Sequence, residues 1–244
     1  KNIMNYPLLF DCIMVFTLCF ALFIATTQPK IPHTYIGINI AIIIIAILLF
    51  GLAPATEEVG TDRPNYDYMF SHANEMYNWG FRDAGFTYFL KFCNVLTGTS
   101  TGGFIVSAII YILCIFYFYN KSFNHYTLYV LLLAFLSLGF TNHYYNVLRA
   151  GLSISILLVA YSKKQHIAIA ICLSLIAISF HISALLIVAG YIITIWVKNP
   201  KFLYCFWGVM LLALLAGIFD SFEQYLNLIT SVEDDRFNQY LSGN

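Results

Sequence analysis

The chain has 244 residues, of which 60% are hydrophobic and only 10% charged, and its Lys and Arg balance its Asp and Glu to a formal net charge of zero. No water-soluble domain of this size tolerates so apolar a surface, so the composition predicts an all-α, multi-spanning integral membrane protein. The charge balance gives no footing for a nucleic-acid partner or a basic docking patch. The six cysteines lie mostly inside apolar runs without C-x-x-C or metal-ligand spacing, and read as small buried hydrophobes.

A spanning helix needs ~20 apolar residues, and hydropathy predicts about eight candidates, at 7–27, 34–53, 102–119, 126–141, 146–161, 167–180, 182–197 and 202–219. The first apolar run lacks a signal-peptide cleavage pattern. Between the second and third candidates, residues 54–101 form the one sizeable polar stretch before the tail. Within it, 66–79 carries aromatics and Met at near-helical spacing and 86–96 is apolar on most faces, which predicts interfacial or re-entrant helices. Long loops of this kind are where function tends to reside.

Further along, IAISFHISALLIV (176–188) sets His181 between two apolar runs, with no charged residue between His166 and Lys198. An imidazole in hydrocarbon needs partners. One helix over 166–198 would be about 50 Å long, against a hydrocarbon core of about 30 Å. Two short spans meeting near His181 fit better and place the histidine at a turn.

Eight alternating spans put Lys30, Lys121, Lys163, Lys164, Lys198 and Lys201 on one side, and every acidic residue with all four arginines on the other. The lysine side is then cytoplasmic, and the 54–101 loop and the 220–244 segment are periplasmic or extracellular. The chain starts at Lys1 and stops in a polar stretch, so it reads as a piece of a longer protein.

Orientation asks for no positive charge outside, so Arg63, Arg82, Arg149 and Arg236 need another reason to be there. A guanidinium offers a planar fork that matches phosphate oxygens. Arg82, beside Asp83, reads as a surface ion pair; Arg236, after Glu233, Asp234 and Asp235, stays open between ion pair and ligand. Arg149 is different: in NHYYNVLRAGLSISILLVA it lies near the start of an apolar helix with no acid within twenty residues. An arginine left without a partner there is costly, which points to function. Tyr66, Tyr68, Tyr77, Trp79, Tyr144 and Tyr145 are candidates for stacking on sugar rings, beside the plainer reading of an interfacial aromatic belt.

Three short patterns, GTDRPNY (60–66), NVLRAGLS (146–153) and FHISALL (180–186), follow one another on one side of the predicted bundle. In order, spacing and topology, over about residues 55–190, they resemble the EpsG family of Wzy-type bacterial polysaccharide polymerases. The resemblance implies a GT-C-like membrane glycosyltransferase. Such an enzyme joins polyprenyl-diphosphate-linked oligosaccharide repeat units into exopolysaccharide, capsule or O-antigen at the outer face of the bacterial cytoplasmic membrane. Its partners are the lipid-linked sugars and the bilayer, with room for a chain-length regulator. By match to the motifs, Asp62, Arg149 and His181 carry over. The chain departs from the family pattern where an arginine usually precedes the Gly-x-Asp motif: Glu57 and Glu58 stand there, and Arg63 follows the aspartate instead.

The residues suit that chemistry. Cleaving a sugar–phosphate bond needs a metal or fixed cations to stabilise the departing diphosphate. No D-x-D occurs, so no metal and no cofactor is expected, and arginines are expected to replace them: Arg149 first, with Arg63 or Arg236 assisting. The acceptor hydroxyl needs a base that titrates near working pH, for which His181 ranks first, Asp62 second and His143 third. Phosphate binding by a His181 imidazolium, or a purely structural histidine bonded to a helix carbonyl, remain the alternatives at that position. Tyr66 and Asp67 complete the expected substrate-binding set. A transporter would also hold Arg and His inside the membrane, but its usual internal repeat is missing, with no second NVLRAG or SFHISA. An O-acyltransferase would use the histidine and has less need for the outer arginines.

Overall fold

The computed structural model describes residues 36–74, 83–135 and 137–196, with isolated helical positions at Cys12, Phe16 and Cys19 and between Lys201 and Leu212. The described residues are helical, without strands: α1 (Ile36–Gly51), α2 (Arg63–Ser71), α3 (Ala84–Thr97), α4 (Ser100–Phe123), α5 (Thr127–Phe135), α6 (Leu138–Tyr145), α7 (Leu148–Ser162), α8 (Ile167–Phe180) and α9 (Ala184–Trp196). The chain divides into one compact unit ending at Val188 and another beginning at Ala189, and α1 to α8 belong wholly to the first.

Helix α4 is the hub of that unit, touching α1, α2, α3, α5 and α7. At 24 residues it is about 36 Å long, enough to cross a bilayer. The Thr99 hydroxyl begins it by accepting from the Gly102 N–H at 3.1 Å. Just before, α3 ends at Gly98, whose left-handed φ of 65° lets the chain turn at once into α4.

Among the described residues, α4 alone is both long and apolar enough to span a membrane, joined by a second if α5 and α6 are counted as one broken span. The apolar helices α1, α7, α8 and α9 fall short of that length. The expected spans at 126–141 and 146–161 are redrawn. The first breaks at Ser137, whose hydroxyl caps α6 by accepting from the Phe140 N–H at 3.2 Å, and α7 begins only after a corner at Asn146 and Val147. The expected span at 167–180 coincides with α8, and the turn expected at His181 is present: α8 stops at Phe180, His181 is extended (φ −156°), and α9 starts at Ala184. The candidate spans at 7–27 and 202–219 lie almost wholly outside the described residues, and the 220–244 segment does so completely.

The loop expected to hold interfacial helices contains α2 and α3. Phe86, Phe89, Leu90 and Cys93 form the buried stripe of α3, at helical spacing, while Tyr88, Phe92, Val95 and Leu96 are exposed. A short helix that is apolar on its outer face as well suits a membrane interface.

Aromatic packing ties α1, α5 and α6 to α4. Phe50 stacks on Tyr145 (centroids 5.2 Å apart) and meets Tyr144 and Phe140 edge-on. The buried hydroxyls are satisfied by backbone: Tyr111 donates to the Phe140 carbonyl at 2.9 Å and Tyr144 to the Phe104 carbonyl at 2.6 Å. Tyr144 and Tyr145 are therefore core residues, closed to any sugar.

Candidate active site

Two close approaches, both made possible by glycines, bring the separated motifs together. Gly60 lies against the corner between α6 and α7, where an added Cβ would stand 2.8 Å from Asn146 Oδ1 and 3.0 Å from the Tyr145 carbonyl oxygen. Next to it, the Thr61 hydroxyl donates to Asn146 Oδ1 at 3.3 Å, and Asn146 in turn donates to Asn142 Oδ1 at 2.6 Å. GTDRPNY and NVLRAGLS therefore touch. The second approach is at Gly85, whose Cα faces Ser179 so closely that a side chain there would meet both the side chain and the backbone of α8. Phe180 seals this contact against Phe89 and Phe86, with centroids 5.5 and 6.2 Å away.

The result is a polar cluster at the ends of four helices. Asp83 immediately precedes α3, Arg149 is in the first turn of α7, His181 ends α8, and Tyr66 projects from α2. The Arg149 guanidinium pairs with Asp83 Oδ2 at 2.5 Å, and Asp83 Oδ1 lies 3.5 Å from His181 Nδ1. Both Oδ1 and Nδ1 are buried, and neither has a hydrogen-bond partner among the described residues. The three side chains remain partly open, at 13% exposure for Asp83, 20% for Arg149 and 29% for His181. Asp83 holds a left-handed φ of 145°, a strained conformation of the kind that persists where surrounding structure imposes it.

Tyr66 is almost completely buried, edge-on to Phe86 at 6.1 Å. Burial pushes its hydroxyl pKa up; the Arg149 guanidinium, through its charge and a hydrogen bond, pulls it back, and the Asp62 charge adds to the rise. Asp62 and Arg149 are thus both within electrostatic reach of Tyr66. Arg149 also lies 6.0 Å over the Phe86 ring.

Of the residues singled out from the sequence, Asp62, Tyr66, Arg149 and His181 come together in this way. Asp67 is half-buried on α2, where its carbonyl accepts from the Ser71 hydroxyl at 2.8 Å. His143 is half-buried on α6 with Nδ1 donating to the Gly139 carbonyl of its own helix at 2.5 Å. Arg63 is fully buried and directed at the end of α1: Nε donates to the Pro54 carbonyl at 3.1 Å, and Nη2 to the Phe50 and Ala53 carbonyls at 3.0 and 2.8 Å. Its guanidinium also lies 4.0 Å over the Phe104 ring. Arg63 thus caps a helix C-terminus, where a cation complements the macrodipole. Arg82 and Arg236 lie outside the described residues, as do Tyr77 and Trp79. Tyr68 is exposed and stacks on His72.

Asp83 is the member that sequence reasoning missed. Read as a surface partner of Arg82, it is the acid that Arg149 lacks locally, 66 residues away along the chain. The available signal was Gly85, two residues on, a small residue marking a close helix approach.

A helical bundle with exposed apolar faces and an Arg–Asp–His cluster at its helix ends fits a membrane protein with a built polar site. The model of the EpsG family matches residues 38–244, and the chain belongs to that family. Membership points to polysaccharide polymerisation with lipid-linked oligosaccharides as substrates. No curated protein and no solved structure matches the chain.

Proposed function

We propose that the chain is a metal-independent membrane glycosyltransferase that polymerises polyprenyl-diphosphate-linked repeat units, with its site facing outward from the bacterial cytoplasmic membrane. In this reading the eight-span, GT-C-like arrangement holds for the native protein, and the 54–101 loop lies outside. The observation that carries the proposal is the convergence of Arg149 and His181, from two separate motifs, on one half-open cluster.

The chemistry follows from the geometry. Arg149 sits in the first turn of α7, where the helix dipole adds positive potential to its own charge. A diphosphate is drawn there and its developing charge stabilised as it departs. The acceptor hydroxyl oxygen forms a bond to the anomeric carbon of the donor, and the bond from that carbon to the phosphate oxygen breaks with its electron pair on the diphosphate. The hydroxyl proton passes to His181 Nε2. Asp62, close to Tyr66 in the same loop, suits a hydrogen bond to an incoming sugar. Arg63 supports the site by fixing the end of α1 from which the loop departs. Whether the polymer is exopolysaccharide, capsule or O-antigen depends on the repeat unit supplied.

The test is ladder formation by purified protein from lipid-linked repeat units. Arg149→Lys keeps a charge for Asp83 and loses the fork, and is expected to lower the rate by about 10²-fold or more. His181→Ala is expected to lose it comparably. Wild-type ladders from either variant would remove that residue from the mechanism.

A further inference from the structure

We infer that Asp83 is a positioning residue of this site: one carboxylate holds Arg149 through Oδ2 and sets the tautomer and orientation of His181 through Oδ1. The inference rests on the proposed function for its catalytic meaning, although its structural part stands alone.

Two buried atoms carry it. Asp83 Oδ1 is an acceptor and His181 Nδ1 is a nitrogen that either donates or accepts; they face each other at 3.5 Å, both lacking hydrogen-bond partners among the described residues. A buried polar atom left so costs free energy, and a contraction of about half an ångström turns this pair into an ordinary hydrogen bond. Only one neutral tautomer makes that bond. With the proton on Nδ1, the ring donates to Oδ1; with the proton on Nε2, a bare Nδ1 lone pair confronts a carboxylate. The favoured state leaves Nε2 without a proton, as an acceptor pointing away from Asp83. That is the state a general base requires.

Rigidity is supplied from the other side. Oδ2 is tied to Arg149, the surrounding structure holds the Asp83 backbone at its strained φ, and Gly85 presses the start of α3 onto Ser179, two residues before the histidine. A cation and a base from α7 and α8 are therefore held at a set separation by a group that need not touch the sugar. Tyr66, Arg149 and Asp62 are the other titratable or charged groups described at the cluster, and none of them hydrogen-bonds Nδ1.

The test uses the full chain labelled with ¹⁵N-histidine in lipid, and a polymerisation assay. Neutral His181 in the wild type is expected as the Nδ1–H tautomer. Asp83→Asn offers an amide N–H to Nδ1 in place of an acceptor, and is expected to shift the ring toward Nε2–H. It should also lower kcat at least tenfold while KM changes less than about threefold, and Asp83→Glu should restore part of kcat. An Nε2–H tautomer in the wild type, or wild-type kcat in Asp83→Asn, would overturn the inference. A wild type that makes no polymer yet shows the Asp83-dependent tautomer would reject the proposed function and leave the positioning role intact.

Discussion

The guanidinium of Arg63 is fully buried and its Nε and Nη2 bond to carbonyls at the end of α1, whereas that of Arg149 is one-fifth exposed and meets a carboxylate. The same side chain thus serves a helix end in one place and an open cluster in the other. Arg63→Ala strips its hydrogen bonds from the carbonyls of Phe50, Ala53 and Pro54, and is expected to cost on the order of 3 kcal/mol, measured as a lowered denaturation midpoint. Arg149→Lys is expected to leave that midpoint nearly unchanged while polymer formation falls. Tyr66 supplies a pH signature. Burial raises its pKa in the folded state, so its neutral form is stable there. The contribution is fully present below the unfolded value near 10, and is lost as pH rises through the folded value. Thermal unfolding followed from pH 8 to 11 should therefore show a steeper alkaline loss for the wild type than for Tyr66→Phe.

Between elements, the decisive contacts are backbone approaches. Gly151 in α7 passes the carbonyl of His143 so closely that a Cβ there would collide with backbone, and Gly85 does the same against Ser179. Gly85→Val should push the start of α3 off α8, separating Asp83 from His181. Its expected readouts are loss of polymer formation and faster proteolysis, and an active, protease-resistant variant would contradict the proposed packing. Sequence reasoning reached the break at His181 because two apolar runs together exceed what one span holds, a matter of length alone. It also singled out Arg149 and His181, each costly in apolar surroundings, but only the family resemblance set them on one site. The corner at 146–147 and the Ser137 cap escaped it, since hydropathy averages over such local backbone bonds. Asp83 escaped for a different reason: its partners come from α7 and α8, and nothing in a polar loop tells which acid will fold back onto which helix.

On the scale of the whole molecule, α4 organises the first compact unit, and the site lies where the loop helices α2 and α3 close over the ends of α7 and α8. The lysines of the turn after α7 belong to another part of the bundle, where Lys163 lies 5.2 Å over the Tyr117 ring and Lys164 as far over Tyr161. The proposed function makes these two regions energetically distinct: phosphate binds at Arg149 and not at the lysines. If fixed guanidinium charge does the work of a metal, a chelator should leave ladder formation intact.

The most direct measurement is the affinity of protein in lipid nanodiscs for a polyprenyl-diphosphate-linked repeat unit. Arg149→Lys is expected to weaken Kd by about tenfold or more, the loss of roughly one charge-assisted bond, while Lys163→Ala binds as the wild type does. Equal affinity of wild type and Arg149→Lys would contradict the claim that the cluster grips the lipid-linked phosphate.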